Sequence, residues 1–287
     1  MYSVSLEEEI VRHAVGRKRQ DGTSYRSLPS RSVAEIADSR YLRGREVEIA
    51  ALQIGVIPER YVRNMGTFSA SDQIRLLSAT VAVVGLGGLG GGVTEMLARL
   101  GIGFLRLIDG DRFEDSNLNR QLFCTHAAIG ESKAQAARNR VREVNPSIEV
   151  SPIPEFLTPD NHSSVLSGAD AAVDCLDNLK DRFVLEQAAR ILGIPLVSGA
   201  LAGSFAQITT IFPEDTGLSL IYGPSGSVSE KGAEVQLGTL APTALLAASL
   251  ESAEIVKILL NKTETLRNRL LIVDLLTTHL EVLQLAP

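Results

Sequence analysis

Apolar and polar positions follow two patterns along this chain. Before residue 61 the apolar residues recur at helical spacing, as in Val33, Ile36 and Ala37 and again in Val47, Ile49, Ala50 and Leu52, with Gly44 and Gly55 as punctuation. That spacing predicts two or three short helices, a small helical N-terminal extension over residues 1–60. Short helices joined by glycine turns serve packing more often than they form a helix-turn-helix. The polar stretch Gly16–Pro29 reads as a mobile connection between them. Further on, Ser69 with Asp72 three residues later marks a helix start.

Beyond that helix, short apolar runs alternate with amphipathic stretches. Strands are predicted over 80–85, 103–108, 148–152, 170–174, 195–199, 205–212 and 269–275, and helices over 88–100, 132–144, 179–192 and 241–261, with a Gly/Ser loop at 213–238. The alternation predicts an α/β class, a Rossmann-like and mainly parallel sheet with helices on both faces and a mixed C-terminal part. Ligands of such sheets sit at the C-terminal strand ends.

Composition narrows the classes. A chain of 287 residues accommodates one large α/β domain with an accessory piece. A net charge of −6, dispersed along the chain, leaves no basic footprint, so nucleic acid is not expected as a partner. The N-terminus lacks the apolar stretch of a signal peptide, which makes the cytoplasm the expected location. The uncharged run Ile191–Phe212 is broken by Pro195, Gly199, Gly203 and Gln207 and reads as strand, connection and strand, so no membrane partner is expected. Two cysteines, Cys124 and Cys175, exclude both a disulfide framework and a Cys-x-x-Cys zinc site. Cys175 is expected to be buried, and Cys124 is left as the one weak candidate for a reactive thiol.

The densest chemistry follows the first apolar run. Val81–Val84 leads into Gly85-x-Gly87-x-x-Gly90 and then a helix, the setting in which a glycine turn holds phosphate. Gly85 permits the turn, Gly87 lets backbone approach phosphate, and Gly90 lets helix and strand pack closely. Asp109, at the end of the next strand, stands where a carboxylate bonds a ribose hydroxyl. The same turn serves NAD, FAD and ATP. Arg120 and Lys133 tip the balance, because a pyrophosphate carries about two negative charges and a triphosphate about four, which calls for added cations or metal. Asp177 lies past the strand Ala171–Val173 and could hold Mg²⁺ against phosphate oxygens, while its neighbour Asn178 caps the helix that follows.

Taken in order, these motifs resemble the MoeB/ThiF/HesA family, relatives of ubiquitin-activating enzymes. The resemblance is carried by Arg60-Tyr61-x-Arg63-Asn64, VAVVGLGGLG, IDGDRFEDSNLNRQ, IGESKA with Lys133, Asn145-Pro146, DCLDN, PLVSGAL and ASLESAEIVKILL. It implies an adenylation domain over 61–287 that binds ATP and Mg²⁺. Its implied substrate is the C-terminal Gly-Gly carboxylate of a small ubiquitin-like sulfur-carrier protein, activated with release of pyrophosphate. By matching positions, Asp109 would bind the ribose, and Gly88, Ser116, Asn117, Arg120, Gln121 and Lys133 would hold phosphates and adenosine. Asp111 and Asn178 belong to the same nucleotide-binding set, and Asp177 would position Mg²⁺. Arg63 would reach the γ-phosphate bound by the partner subunit of a homodimer. The Cys-x-x-Cys pairs that many members use for structural zinc are absent here, so no zinc is expected. Three alternatives stay open: a tRNA-modifying relative, an NAD(P) oxidoreductase, which would leave Arg120, Lys133 and Asp177 without a role, and an inactive nucleotide-binding module.

Overall fold

The computed structural model describes residues 4–225 and 232–285. Its N-terminal unit runs α1 (Leu6–His13), β1 (Val15–Lys18), β2 (Ser24–Leu28), α2 (Ser30–Arg40), α3 (Gly44–Gln53) and β3 (Val56–Pro58). The helices fall where their spacing predicts, and α1 opens with a Ser5/Glu8 capping box. The stretch Gly16–Pro29 is not a connection: it forms a hairpin, with β1 antiparallel to β2 and β2 parallel to β3. The reason lies in Asp21-Gly22. Gly22 takes φ +84° and the Asp21 carboxylate accepts the Thr23 N–H at 2.9 Å, a hairpin-turn pair whose signal outweighs the polarity around it. Ile10, Leu28, Val33, Ile36, Val47 and Val56 form the core of this unit.

The larger unit follows. Its elements are α4 (Ala70–Ser78), β4 (Thr80–Val84), α5 (Gly88–Leu100), β5 (Phe104–Ile108), α6 (Lys133–Val144), β6 (Glu149–Ile153), α7 (His162–Leu166), β7 (Ala171–Asp174) and α8 (Leu179–Leu192). They continue with β8 (Leu196–Ala202), β9 (Phe205–Ile211), α9 (Ser219–Tyr222), α10 (Glu234–Leu237), α11 (Ala241–Leu260), β10 (Arg269–Asp274) and β11 (His279–Gln284). The Ser69/Asp72 capping box starts α4 as predicted. The sheet order is β11-β10-β9-β8-β7-β4-β5-β6, parallel from β8 to β6 and antiparallel from β8 through β11.

Strand β4 is buried on both faces, which is why its sequence is a continuous apolar run. Val81 and Val83 face α5, α6 and α11, packing with Val93, Leu97, Val141 and Ala248, whereas Ala82 and Val84 face α7 and α8 with Val165, Leu166, Leu185 and Ala188. The run Ile191–Phe212 is the end of α8 followed by β8 and β9. Among the described residues no helix is long and apolar enough to cross a membrane. The region 213–238 holds the short helices α9 and α10 around residues 226–231, which lie outside the described residues. Strand β11 was not predicted. Every residue in it is exposed, so it lacks the burial pattern that identifies a strand from sequence.

Candidate nucleotide site

The chain runs from β4 to β5 to β6 on one side of the sheet and then returns to place β7 on the other side of β4. The C-terminal ends of β4 and β7 therefore flank the switch point where open α/β sheets bind ligands. A cavity of about 570 Å³ opens there. Gly85 leaves β4 at φ +89°, and a Cβ on it would sit 2.6 Å from the Cys175 carbonyl oxygen. A Cβ on Gly90 would lie 1.8 Å from the Gly85 oxygen, so the first turn of α5 presses directly on the end of β4. The turn is also held from β5. Asp109 accepts the Leu86 N–H at 2.7 Å with one carboxylate oxygen and the Asp111 N–H at 2.8 Å with the other. Burial pushes the Asp109 carboxyl up from its ordinary value, and nearby Lys133 opposes that shift.

The loop after β5 delivers the cations. Asn117 is buried; its side-chain oxygen accepts the Glu114 N–H at 3.1 Å and its backbone oxygen accepts Gln121 N–H at 2.9 Å, which folds the loop so that Arg120 and Gln121 meet the cavity. Arg120 donates to the Asn119 side chain at 2.7 Å and to the Ser116 carbonyl at 3.1 Å. Lys133, the first residue of α6, is buried, and its Nζ lies 2.9 Å from Asp111 Oδ2. Asp177 is exposed and lines the same cavity, as does Asp181.

Of the residues singled out from sequence, Gly85, Gly87, Gly88, Asp109, Asp111, Arg120, Gln121, Lys133 and Asp177 line this one cavity. Gly90, Ser116, Asn117 and Asn178 do not line it and stand behind it. Asn178 caps α8, accepting the Lys180 N–H at 2.9 Å and the Asp181 N–H at 3.4 Å. Arg63 is exposed and away from the cavity of its own chain. Cys124, the one weak candidate for a reactive thiol, is buried, its thiol is directed at the Glu114 carbonyl at 3.7 Å, and burial with Asp115 pushes its pKa up, all of which disfavour a thiolate. Cys175 is buried as expected.

Sequence reasoning missed Arg182. Its guanidinium donates to the carbonyls of Gly199, at 2.7 Å, and Leu176, and it pairs with Asp174 at 3.4 Å. Ser198 donates to the same Asp174 oxygen at 2.6 Å. Burial pushes the Asp174 carboxyl up while Arg182 and Ser198 pull against it. The network ties the β7 end to β8, and so sets the loop that carries Asp177. Its signal was an arginine eight residues after Asp174 on an otherwise amphipathic helix. Also missed was the far arm of the cavity, where Leu201, Phe205, Ala206, Leu237 and Ile272 make an apolar wall over the antiparallel half of the sheet. Among the described residues no group of three or more His, Cys, Asp or Glu is arranged to hold a metal ion. The whole is a pocket lined by the glycine turn, by Arg120 and Lys133, by several carboxylates including Asp177, and by an apolar wall.

Known proteins resemble this chain in sequence and in fold. The SAMP-activating enzyme E1 of Haloferax volcanii is 35% identical over 221 residues, 75% of this chain and 81% of that one. The molybdopterin-synthase adenylyltransferase of Salmonella typhimurium is 30% identical over 223 residues, 76% of this chain and 88% of that one. Among solved structures, E. coli MccB with ATP superposes with a TM-score of 0.68 at 21% identity, covering 90% of this chain and 80% of that one, a likeness of fold. Residues 61–287 match the ThiF family, and the chain belongs to it.

Proposed function

We propose that this chain is an ATP-dependent adenylyltransferase that activates the C-terminal glycine carboxylate of a small ubiquitin-like sulfur-carrier protein. The observation that carries this is the convergence of Lys133, Arg120 and Asp177 on a glycine turn whose cavity continues into an apolar arm. A hydride-transfer site has no use for two cations and a carboxylate at the phosphates. The two relatives named above are, by name, an activating enzyme and an adenylyltransferase.

The chemistry joins two anions. A carboxylate oxygen attacks the α-phosphorus, the bond from that phosphorus to the bridging oxygen breaks, and pyrophosphate leaves with the electron pair. No protein nucleophile is needed, so the work of the site is positioning and charge neutralisation. The glycine turn and the N-terminus of α5 receive the phosphates. Arg120 and Lys133 neutralise the charge that grows on the leaving pyrophosphate. Asp109 keeps free lone pairs on both oxygens and accepts from a ribose hydroxyl. Asp177, an exposed oxygen donor at the phosphate end, suits Mg²⁺, which takes one or two carboxylates and completes its shell with phosphate oxygens and water. When bound, that ion would screen the phosphate charge from the incoming carboxylate. The apolar arm takes the extended tail that ends in the reacting glycine. Arg63, exposed and away from its own cavity, serves the γ-phosphate of a second copy in a homodimer.

ATP–pyrophosphate exchange with Mg²⁺, measured with and without a panel of Gly-Gly-ended carrier proteins, tests this. Exchange that depends on one carrier supports the proposal and names the substrate. Nucleotide binding without exchange for any carrier overturns it.

A further inference from the structure

The N-terminal unit precedes the residues that match the family, yet it reaches into the larger unit through a buried polar cluster. Glu48 on α3 is fully buried. One carboxylate oxygen lies 3.0 Å from Arg60 Nε and accepts the Ser147 hydroxyl at 3.0 Å, and the other accepts the Tyr61 hydroxyl at 3.3 Å. Asn145 closes the ring: its side-chain oxygen accepts from Arg60 at 2.5 Å and its amide donates to the Tyr61 hydroxyl at 2.9 Å and to the Ala98 carbonyl at 3.0 Å. The Arg60-Tyr61 and Asn145-Pro146 motifs, distant in sequence, are thus one structure, and its carboxylate comes from outside the family match.

What this cluster holds is the turn that carries Arg63. Asn64 N–H bonds the Tyr61 carbonyl at 2.8 Å, and the Thr67 and Phe68 N–H groups both bond the Asn64 carbonyl at 2.9 Å. On the far side the Asn64 side chain donates to Gln73 at 3.0 Å, which in turn donates to the Leu100 carbonyl at 2.8 Å. The turn is therefore clamped at both ends while Arg63 projects from it into solvent. Adhesion between the units does not require this cluster. Leu52 of α3 already packs with Tyr61 and Leu77, and a buried ion pair is commonly no more stabilising than apolar side chains of similar volume. The hydrogen bonds that Glu48, Tyr61, Asn145 and Ser147 share fix the geometry at this junction.

We propose that Glu48 is a positioning residue for Arg63, and that the N-terminal unit acts through it to hold the arginine that one copy of this chain presents to the nucleotide of another. This rests on the adenylation reading and on Arg63 meeting a γ-phosphate. Removing the Glu48 charge leaves Arg60 partly buried without its ion-pair partner, and the turn it anchors loosens. Arg63 then contacts phosphate less of the time.

The test is titration calorimetry of the full chain with MgATP and with AMP, which lacks the γ-phosphate. In the wild type both bind. Arg63→Ala weakens ATP about tenfold, the value of one charge-assisted contact to phosphate, and leaves AMP unchanged. Glu48→Gln is expected to reproduce that selective loss. Tyr61→Phe, which deletes the hydroxyl between Glu48 and Asn145, does the same and decides the matter where Glu48→Gln fails to fold. Variants that leave ATP affinity unchanged, or that weaken ATP and AMP alike, overturn the positioning role and leave the site assignment standing. An Arg63→Ala protein that binds ATP normally overturns it as well, since nothing is then positioned. A wild-type protein that binds neither nucleotide overturns the adenylation proposal and this one with it.

Discussion

Lys133 Nζ lies 2.9 Å from Oδ2 of Asp111, so the buried cation of the site is already paired before any phosphate arrives. The pair is unequal: Lys133 is almost wholly covered, whereas the Asp111 side chain is 53% exposed. An ion pair with a solvated partner is weak and readily exchanged. Lys133 can leave Asp111 for a phosphate at little cost. Lys133→Met is expected to weaken ATP binding about tenfold to a hundredfold, the value of a charge-assisted contact to phosphate. Asp111→Asn removes the competitor and is expected to strengthen ATP binding by up to about fivefold. Calorimetric titration of both variants checks this; an Asp111→Asn protein that binds ATP tenfold more weakly would assign Asp111 a direct role with the nucleotide.

Asp177 is exposed on the cavity wall, on the loop set by the Arg182 network. Asp177→Asn keeps its shape and removes the charge that suits a divalent cation. Mg²⁺-dependent pyrophosphate exchange is expected to fall by about two orders of magnitude or more, with AMP affinity in the absence of metal unchanged. Exchange that retains its full Mg²⁺ dependence in this variant would remove Asp177 from the metal site.

Glu251 is fully buried in the middle of α11, and burial first, then Asp174, push its carboxyl well above the ordinary value of 4.5 while Arg182 opposes them. Below that ordinary value the group is neutral in the folded and unfolded chain alike. As pH rises past it, only the unfolded chain loses the proton, so stability falls until the raised folded value is passed. Glu251→Gln keeps the neutral shape and has no proton to lose. The melting temperature of the variant relative to the wild type is therefore expected to climb between pH 5 and pH 8. A difference that stays constant over that range would show that Glu251 is ionised in the folded protein.

The centre of the parallel half was legible because β4 and β7 are buried on both faces. Thr80–Val84 and Gly88–Leu100 lie within a residue of their predicted bounds. Two elements were not legible, for opposite reasons. The hairpin at Gly16–Pro29 is polar because β1 is an exposed edge, so only Asp21-Gly22 announces it. Strand β11 is exposed along its length and held by backbone pairing to β10, which side-chain pattern does not report. At the site, Gly85, Gly87, Asp109, Arg120, Lys133 and Asp177 could be read from the residues and Gly88, Asp111 and Gln121 from the family resemblance, but the apolar arm and the groups that hold the site could not. Arg182 and Glu48 act on partners that chain topology brings together, Arg182 on Gly199 and Glu48 on Ser147.

Three consecutive glycines in α5 offer a comparison that separates the fold's requirement for glycine from its tolerance of it. A Cβ on Gly90 would meet the Gly85 carbonyl oxygen at 1.8 Å and the Cys175 Cβ at 3.2 Å. The first of these is backbone at the end of β4 and cannot rotate away, so α5 must lift from the sheet and take the phosphate turn with it. A Cβ on Gly91 meets nothing closer than 3.6 Å, at Leu122, which is ordinary contact. Its helical backbone suits alanine, which is favoured over glycine by ~1 kcal/mol in a helix interior. Gly91→Ala is therefore expected to raise the melting temperature by about 1–2 °C, and Gly90→Ala to lower it by about 5 °C or more with loss of ATP binding. Thermal melts of the two variants side by side check this. Equal effects of either sign would mean that α5 does not press on β4 as tightly as the Gly85–Gly90 approach requires, and the glycine turn would then need another explanation.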